Sequence, residues 1–201
     1  VKLHDVNFFN FAILSNGAII IDNKGNVIYD KCLKEDCVYE IFNYIKNQYM
    51  DGARVFVCGV DYQFTLTTKE ECVNFLREKL NSIINNIICI TIELPEEDIG
   101  IARKVLDDIE SLNKLSDVAV SRNSRYIDMV CKGISKKTAV NFIIDKYNLQ
   151  DYELAAIGDG PNDINLLSMT ENSFTFPDSE EIVKDNAKYI VSNVSECIEL
   201  L

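Results

Sequence analysis

The sequence predicts an α/β protein in which a parallel-sheet core is interrupted by an inserted α+β module. Three observations predict it. After Lys132, short apolar runs alternate with helical patterns at the spacing of βα units. Between about Tyr29 and Cys131, hairpin signals mix with helices instead. The run Ala155–Leu167 carries an apolar strand into a helical pattern through Gly158-Asp159-Gly160-Pro161-Asn162-Asp163. That turn puts two carboxylates at the carboxyl end of a buried strand, where open α/β sheets bind ligands.

The elements follow in chain order. Phe11–Leu14 is an apolar run ending at Ser15-Asn16-Gly17, and Ala18–Ile21 continues it. Asp22–Asn26 is a strong turn signal, so Val27–Tyr29 reads as the returning strand of a hairpin. From Lys34 to Tyr49, Cys37, Val38, Ile41, Phe42 and Ile45 share one helical face. Arg54–Val60 and Gln63–Thr67 read as strands, Lys69–Ile83 as a second amphipathic helix, and Ile87–Leu94 as a β-branched strand. Pro95-Glu96-Glu97-Asp98 has the Pro and acids of a helix start, and Ile99, Ala102, Val105, Leu106, Ile109 and Leu112 form its apolar face. Ser116–Val120 and Tyr126–Val130 are predicted strands around a turn at Arg122-Asn123-Ser124. Ser135 caps a helix bearing Ala139, Val140, Ile143 and Ile144. The strand to Gly158, the Asp163 helix, a strand at Ser173–Phe176, a helix from Ser179, a strand at Tyr189–Val191 and a last helix complete the chain.

Composition bounds the function. The 201 residues are 47% hydrophobic and 26% charged, as in an ordinary globular protein. A net charge of −12 argues against nucleic acid as partner, because phosphate backbones need a basic footprint. A small phosphorylated substrate stays compatible, since a metal ion can supply local positive charge. The seven cysteines form no CxxC pair and sit among apolar residues, so reduced core thiols in a cytoplasmic protein are expected. No apolar run reaches the roughly 18 residues of a membrane helix. The chain opens on Val1-Lys2-Leu3-His4, which is neither a signal peptide nor an initiator methionine, and is expected to begin within a longer protein.

Few residues could carry chemistry. Asp159 and Asp163 read either as a helix cap with a first-turn acid or as ligands of a hard cation. Two nearby carboxylates repel, and Mg²⁺ takes one or two carboxylates together with waters and substrate phosphate. Lys136, beside Lys132 and Lys137, is either a surface lysine or a fixed positive charge next to a phosphate or carboxylate. Ser15-Asn16-Gly17 is either a tight strand bend or a polar loop at the mouth of the sheet. His4 is the sole histidine, so Ser15 has no evident triad partner. No GxxxxGK[ST] or GxGxxG is present, which argues against kinase and dinucleotide chemistry. Arg122 and Arg125 suit phosphate or carboxylate recognition, but their place beside the predicted turn favours a solvated loop.

Three stretches together resemble the haloacid dehalogenase (HAD) superfamily, specifically its Cof-like phosphatases with a large inserted cap. Phe11–Ala18 (FAILSNGA) is similar to the strand before the cap, Cys131–Val140 (CKGISKKTAV) to the segment holding the third motif, and Ile157–Leu167 (IGDGPNDINLL) to the fourth motif. Their order and spacing carry the resemblance across essentially the whole chain. It implies a Rossmann-like parallel-sheet core from residues 1–20 and 131–201, with residues 21–130 as an inserted α+β cap. It also implies that Lys136 is the catalytic lysine steadying nucleophile and phosphoryl group. Asp159 would bind Mg²⁺ directly, and Asp163 directly or through water. Asn162 would orient the loop or touch substrate, and Asn16 and Gly17 would contact substrate. Cap closure would exclude stray water.

In the family an aspartate nucleophile forms an aspartyl-phosphate that water then hydrolyses. Its DxDGT motif, and the second motif after it, have no counterpart between Val1 and Leu201, so both are expected upstream of Val1. The two strands carrying them would lie between those at Phe11 and Leu154. Their loss would leave unpaired sheet edges, which favour aggregation. The chain is therefore expected to be a fragment with little activity alone, or else other residues fill the gap in the sheet. Two functions follow. One is a Mg²⁺-dependent phosphatase of a small phosphorylated metabolite such as a sugar phosphate. The alternative is a non-catalytic HAD-like binding or regulatory protein.

Overall fold

Alternation of apolar and polar residues organises the first of the two units into which the chain divides, residues 1–134 and 135–201. The computed structural model describes residues 10–48, 51–95, 99–112 and 115–201. In the first unit, β1 (Phe11–Leu14), β2 (Ile19–Asp22) and β3 (Val27–Asp30) form an antiparallel sheet. Leu14 pairs with Ile19 and Phe11 with Asp22, so the two apolar runs fold back on each other instead of continuing as one strand. The reversal is made by Ser15, Asn16 and Gly17, with φ of 48°, 53° and 107°. Three successive left-handed residues cannot sit within a strand.

A five-stranded antiparallel sheet follows, in the order β5-β4-β6-β8-β7. Its strands are β4 (Arg54–Cys58), β5 (Gln63–Leu66), β6 (Cys89–Glu93), β7 (Val118–Asn123) and β8 (Tyr126–Cys131). Strand side chains alternate between faces. Val55, Val57, Ile90, Ile92, Ile127 and Met129 point to one face. There they pack on the apolar stripes of α1 (Glu35–Gln48), α2 (Lys69–Glu78) and α4 (Ile99–Glu110). Phe42 of α1 stacks on Phe75 of α2 with centroids 5.4 Å apart. Each large side chain buried in this way contributes about 1.5–3 kcal/mol. Part of the opposite face is covered by the small sheet, where Ile19 and Ile21 cluster with Ile88, Cys89 and Val130.

The predicted helix over residues 69–83 is broken at Lys79 into α2 and α3 (Leu80–Ile83), where φ shifts to −113°. Strand β7 runs through Asn123, and the hairpin turn is Ser124-Arg125, so Arg122 is a buried strand residue and not part of a solvated turn. Tyr49 and the acidic helix start at Glu96–Asp98 lie outside the described residues.

The second unit is built of α5 (Lys136–Tyr147), β9 (Ala155–Ile157), α6 (Ile164–Leu167), β10 (Asn172–Thr175), α7 (Glu181–Lys184), β11 (Tyr189–Ile190) and α8 (Val194–Glu199). Its three strands are parallel, in the order β11-β10-β9, as the βα alternation predicts. Ala156, Leu167 and Val183 form one apolar cluster, and Phe174, Val191 and Cys197 another. β1 and β9 are edge strands of separate sheets. All seven cysteines are free thiols, and burial pushes the thiols of Cys58 and Cys72 up to about 11. Among the described residues no helix is long and apolar enough to cross a membrane.

Candidate active site

The acidic turn is assembled at the carboxyl end of β9. Gly158 donates its N–H to Phe174 O at 3.1 Å, which extends the pairing with β10 by one residue. Its carbonyl accepts from Thr175 Oγ1 at 2.8 Å, and Thr175 shares a further hydrogen bond with Ser179 Oγ, also 2.8 Å. Thr175 is fully buried, so these contacts fix the turn from beneath. A single 3₁₀ turn, Pro161–Asp163, then leads into α6.

That turn brings the Asp163 carboxylate back over Gly158. A Cβ at Gly158 would lie 2.4 Å from Asp163 Cβ and 2.7 Å from its Cγ. Glycine is therefore required by close approach, with no unusual φ involved. Asp163 Oδ2 accepts the N–H groups of Asp159 and Gly160, each at 3.2 Å. Oδ1 accepts Lys136 Nζ at 2.5 Å. Asp163 is 4% exposed, and the three donors are what make a buried carboxylate tolerable.

Lys136 reaches this point because it is the first residue of α5, directly after the cap Ser135. Ser135 Oγ accepts the N–H of Thr138 at 3.2 Å, and Thr138 Oγ1 accepts the N–H of Ser135 at 2.9 Å. This capping box sets Lys136 in the first turn. Lys136 and Asp163 offset each other, whereas Asp159 is exposed and adds one negative charge at the strand end. Asn162 sits half-buried between Pro161 and Asp163 on the 3₁₀ turn. The second unit thus brings together Lys136, Asp159, Asn162 and Asp163.

Asn16 and Gly17 belong to the first unit. The Asn16 amide donates to Asp128 Oδ2 at 2.8 Å and to Ser121 Oγ at 3.0 Å. Asp128 Oδ1 in turn accepts from Thr91 Oγ1 at 2.6 Å. The left-handed turn is thereby fastened to β6, β7 and β8. Beside it is a cavity of about 550 Å³, lined by residues including Leu14, Ser15, Ile19, Cys58, Val60 and Tyr62. Thr175 and Asp128 gave no functional signal in the sequence, because each acts through register across a sheet, and Ser179 acts only through the turn that returns it to Thr175.

A model of the haloacid dehalogenase-like hydrolase family matches residues 2–197. The chain belongs to this family. An uncharacterised protein of Mycoplasma capricolum is 24% identical over 216 residues, spanning 98% of this chain and 80% of its own. A sugar phosphatase of HAD subclass IIB superposes with a TM-score of 0.72 at 19% identity, covering 97% of this chain and 75% of that one. A haloacid dehalogenase-like hydrolase from Bacteroides thetaiotaomicron gives 0.71 at 20% identity, covering 97% and 77%. At these identities the likeness to solved structures is one of fold. The resemblance to the HAD superfamily and its mixed α/β fold is thereby borne out.

The chemistry of the donors suits Mg²⁺. The ion needs hard oxygen ligands and keeps several waters, so it does not require a dedicated protein cage. Among the described residues no group of three or more His, Cys, Asp or Glu side chains forms such a cage. An exposed carboxylate beside a neutralised, buried one meets the smaller requirement.

Proposed function

We propose that this HAD-family chain is a Mg²⁺-dependent phosphatase that acts on a small phosphorylated metabolite such as a sugar phosphate. The observation that carries the reading is the Lys136–Asp163 pair beside the exposed Asp159 at the end of β9. Asp159 would hold Mg²⁺ directly. Both oxygens of Asp163 are engaged by Lys136 and two backbone N–H groups, so it would meet the ion through water. The bound ion would offset the charge of phosphate oxygens. Lys136 Nζ supplies a second positive charge for the phosphoryl group, held in place by Asp163. Asn162, Asn16 and Gly17 would orient substrate, and residues 21–130 would act as the cap. A reduced, cytoplasmic setting fits the free thiols.

None of the described carboxylates is assigned as nucleophile, so the 201-residue chain alone is expected to turn over poorly. Phosphate release from a panel of sugar phosphates and nucleotides, with Mg²⁺ or with a chelator, checks the reading. The expected result is release that needs Mg²⁺ and falls about 10²-fold or more in Lys136→Met, the scale of losing one charge stabiliser. Release indifferent to chelator and to Asp159→Ala would contradict it. Mg²⁺ binding at Asp159 with no release from any ester, also by a longer chain that carries an aspartate nucleophile, would favour the non-catalytic alternative.

A further inference from the structure

The peptide between Gly158 and Asp159 is held at both ends. Its carbonyl accepts from Thr175 Oγ1 at 2.8 Å, and its N–H donates to Asp163 Oδ2 at 3.2 Å. Thr175 has one hydroxyl proton and a carbonyl oxygen can only accept, so that proton goes to Gly158. The proton in the 2.8 Å contact between Thr175 and Ser179 therefore comes from Ser179 Oγ. On the far side, Asp163 Oδ1 accepts from Lys136 Nζ. One hydrogen-bonded path thus runs from Ser179 through Thr175, the Gly158–Asp159 peptide and Asp163 to Lys136. All of these residues belong to the unit of residues 135–201.

From Ser179 to Asp163 every donor points the same way, and hydrogen bonds aligned in this manner strengthen one another. Thr175 is fully buried and Ser179 is 8% exposed, so water does not compete for either hydroxyl. Valine would fill the place of Thr175 equally well and suits a buried strand position better. The hydroxyl therefore acts on the peptide, and packing gives no reason for it.

Residue 158 is where that action is needed. Asp163 approaches so closely that only glycine fits, and glycine leaves its own backbone torsions free. Thr175 supplies from outside the restraint that a side chain would otherwise give. The Gly160 N–H also donates to Asp163 Oδ2, at 3.2 Å, so the peptides on both sides of Asp159 are held. The direction in which the exposed Asp159 side chain leaves the backbone is thereby fixed. A cation with few protein ligands gains affinity from a carboxylate that is already aimed at it.

We propose that Thr175 is a positioning residue for the cation site: through the Gly158 carbonyl, its hydroxyl sets the affinity of Asp159 for Mg²⁺. This rests on the phosphatase reading above, in which Asp159 holds Mg²⁺. The probe is Mn²⁺ added to the 201-residue chain, followed by the electron paramagnetic resonance of the free ion and displaced by Mg²⁺. Thr175→Val, of the same size but without the hydroxyl, is expected to weaken binding about tenfold or more, the scale of losing a group that orients a metal ligand. Thr175→Ser keeps the hydroxyl and loses a buried methyl. It is expected to bind within about twofold of the unaltered chain while melting at a lower temperature. Ser179→Ala leaves the Thr175–Gly158 bond in place and should weaken binding about threefold or less. In the metal-free chain, amide exchange at Asp159 should quicken about tenfold in Thr175→Val and stay within about twofold in Thr175→Ser. Affinity retained in Thr175→Val, or lost as heavily in Thr175→Ser, would overturn the proposal. Binding abolished by Asp159→Ala but indifferent to Thr175→Val overturns the positioning role alone. Binding indifferent to Asp159→Ala contradicts the metal reading, and this proposal with it.

Discussion

A methyl group has no place at residue 158. Gly158→Ala would drive Cβ into Asp163, whose carboxylate is tied on three sides and cannot retreat without losing Lys136 or the Asp159 and Gly160 N–H groups. We expect a loss of about 1–3 kcal/mol in urea unfolding, the usual scale of overpacking, with weaker Mg²⁺ binding. Glu93 offers a pH-dependent counterpart. Hydrogen bonding from Arg54, with Tyr126 and Arg125 adding to it, holds its carboxyl below the ordinary value of 4.5 against the opposing effect of burial. The folded state therefore keeps this group charged at a lower pH than the unfolded chain does. Its stabilisation is fully present above pH 4.5 and is lost as pH falls through the depressed native value. Urea midpoints measured from pH 7 to pH 3 should drop less steeply in Glu93→Gln than in the unaltered chain. At this scale the sequence was informative where residues are close along the chain, as in Asp159 and Asp163. It was silent where register brings them together: nothing marks Thr175 as a partner of Gly158, or Asp128 as the anchor of Asn16.

At the scale of elements, α5 shows how a local signal positions a site. Ser135 was legible as a cap, and the capping box it forms with Thr138 fixes the turn on which Lys136 stands. Ser135→Ala is expected to cost about 1 kcal/mol and to loosen the Lys136–Asp163 contact, measurable as faster amide exchange at Thr138 together with a lower melting temperature. Apolar periodicity found α1, α2 and α4 because each buries a continuous stripe on the five-stranded sheet. The break at Lys79 was not legible, since Leu80 and Ile83 continue the same stripe while the backbone turns. The strand limits around Arg122 were missed for a related reason. Arg-Asn-Ser is turn-like in composition, yet cross-strand pairing with Ile127 and Tyr126 holds Arg122 and Asn123 in β7.

For the molecule as a whole, the order of elements decided what could be read. The βα alternation after Ser135 yields a parallel sheet, and the hairpin-rich middle yields an antiparallel one. The reversal between β1 and β2 was hidden, because two apolar runs separated by three residues look like one strand until Ser15, Asn16 and Gly17 take left-handed conformations. We propose the turn after β9 as the metal- and phosphate-binding half of a phosphoryl-transfer site. Paramagnetic broadening of amide signals by substoichiometric Mn²⁺ tests it most directly. Broadening is expected to centre on residues 158–160, to be reversed by excess Mg²⁺ and to be abolished in a folded Asp159→Ala variant. Broadening centred elsewhere, or unchanged by Asp159→Ala, would contradict it.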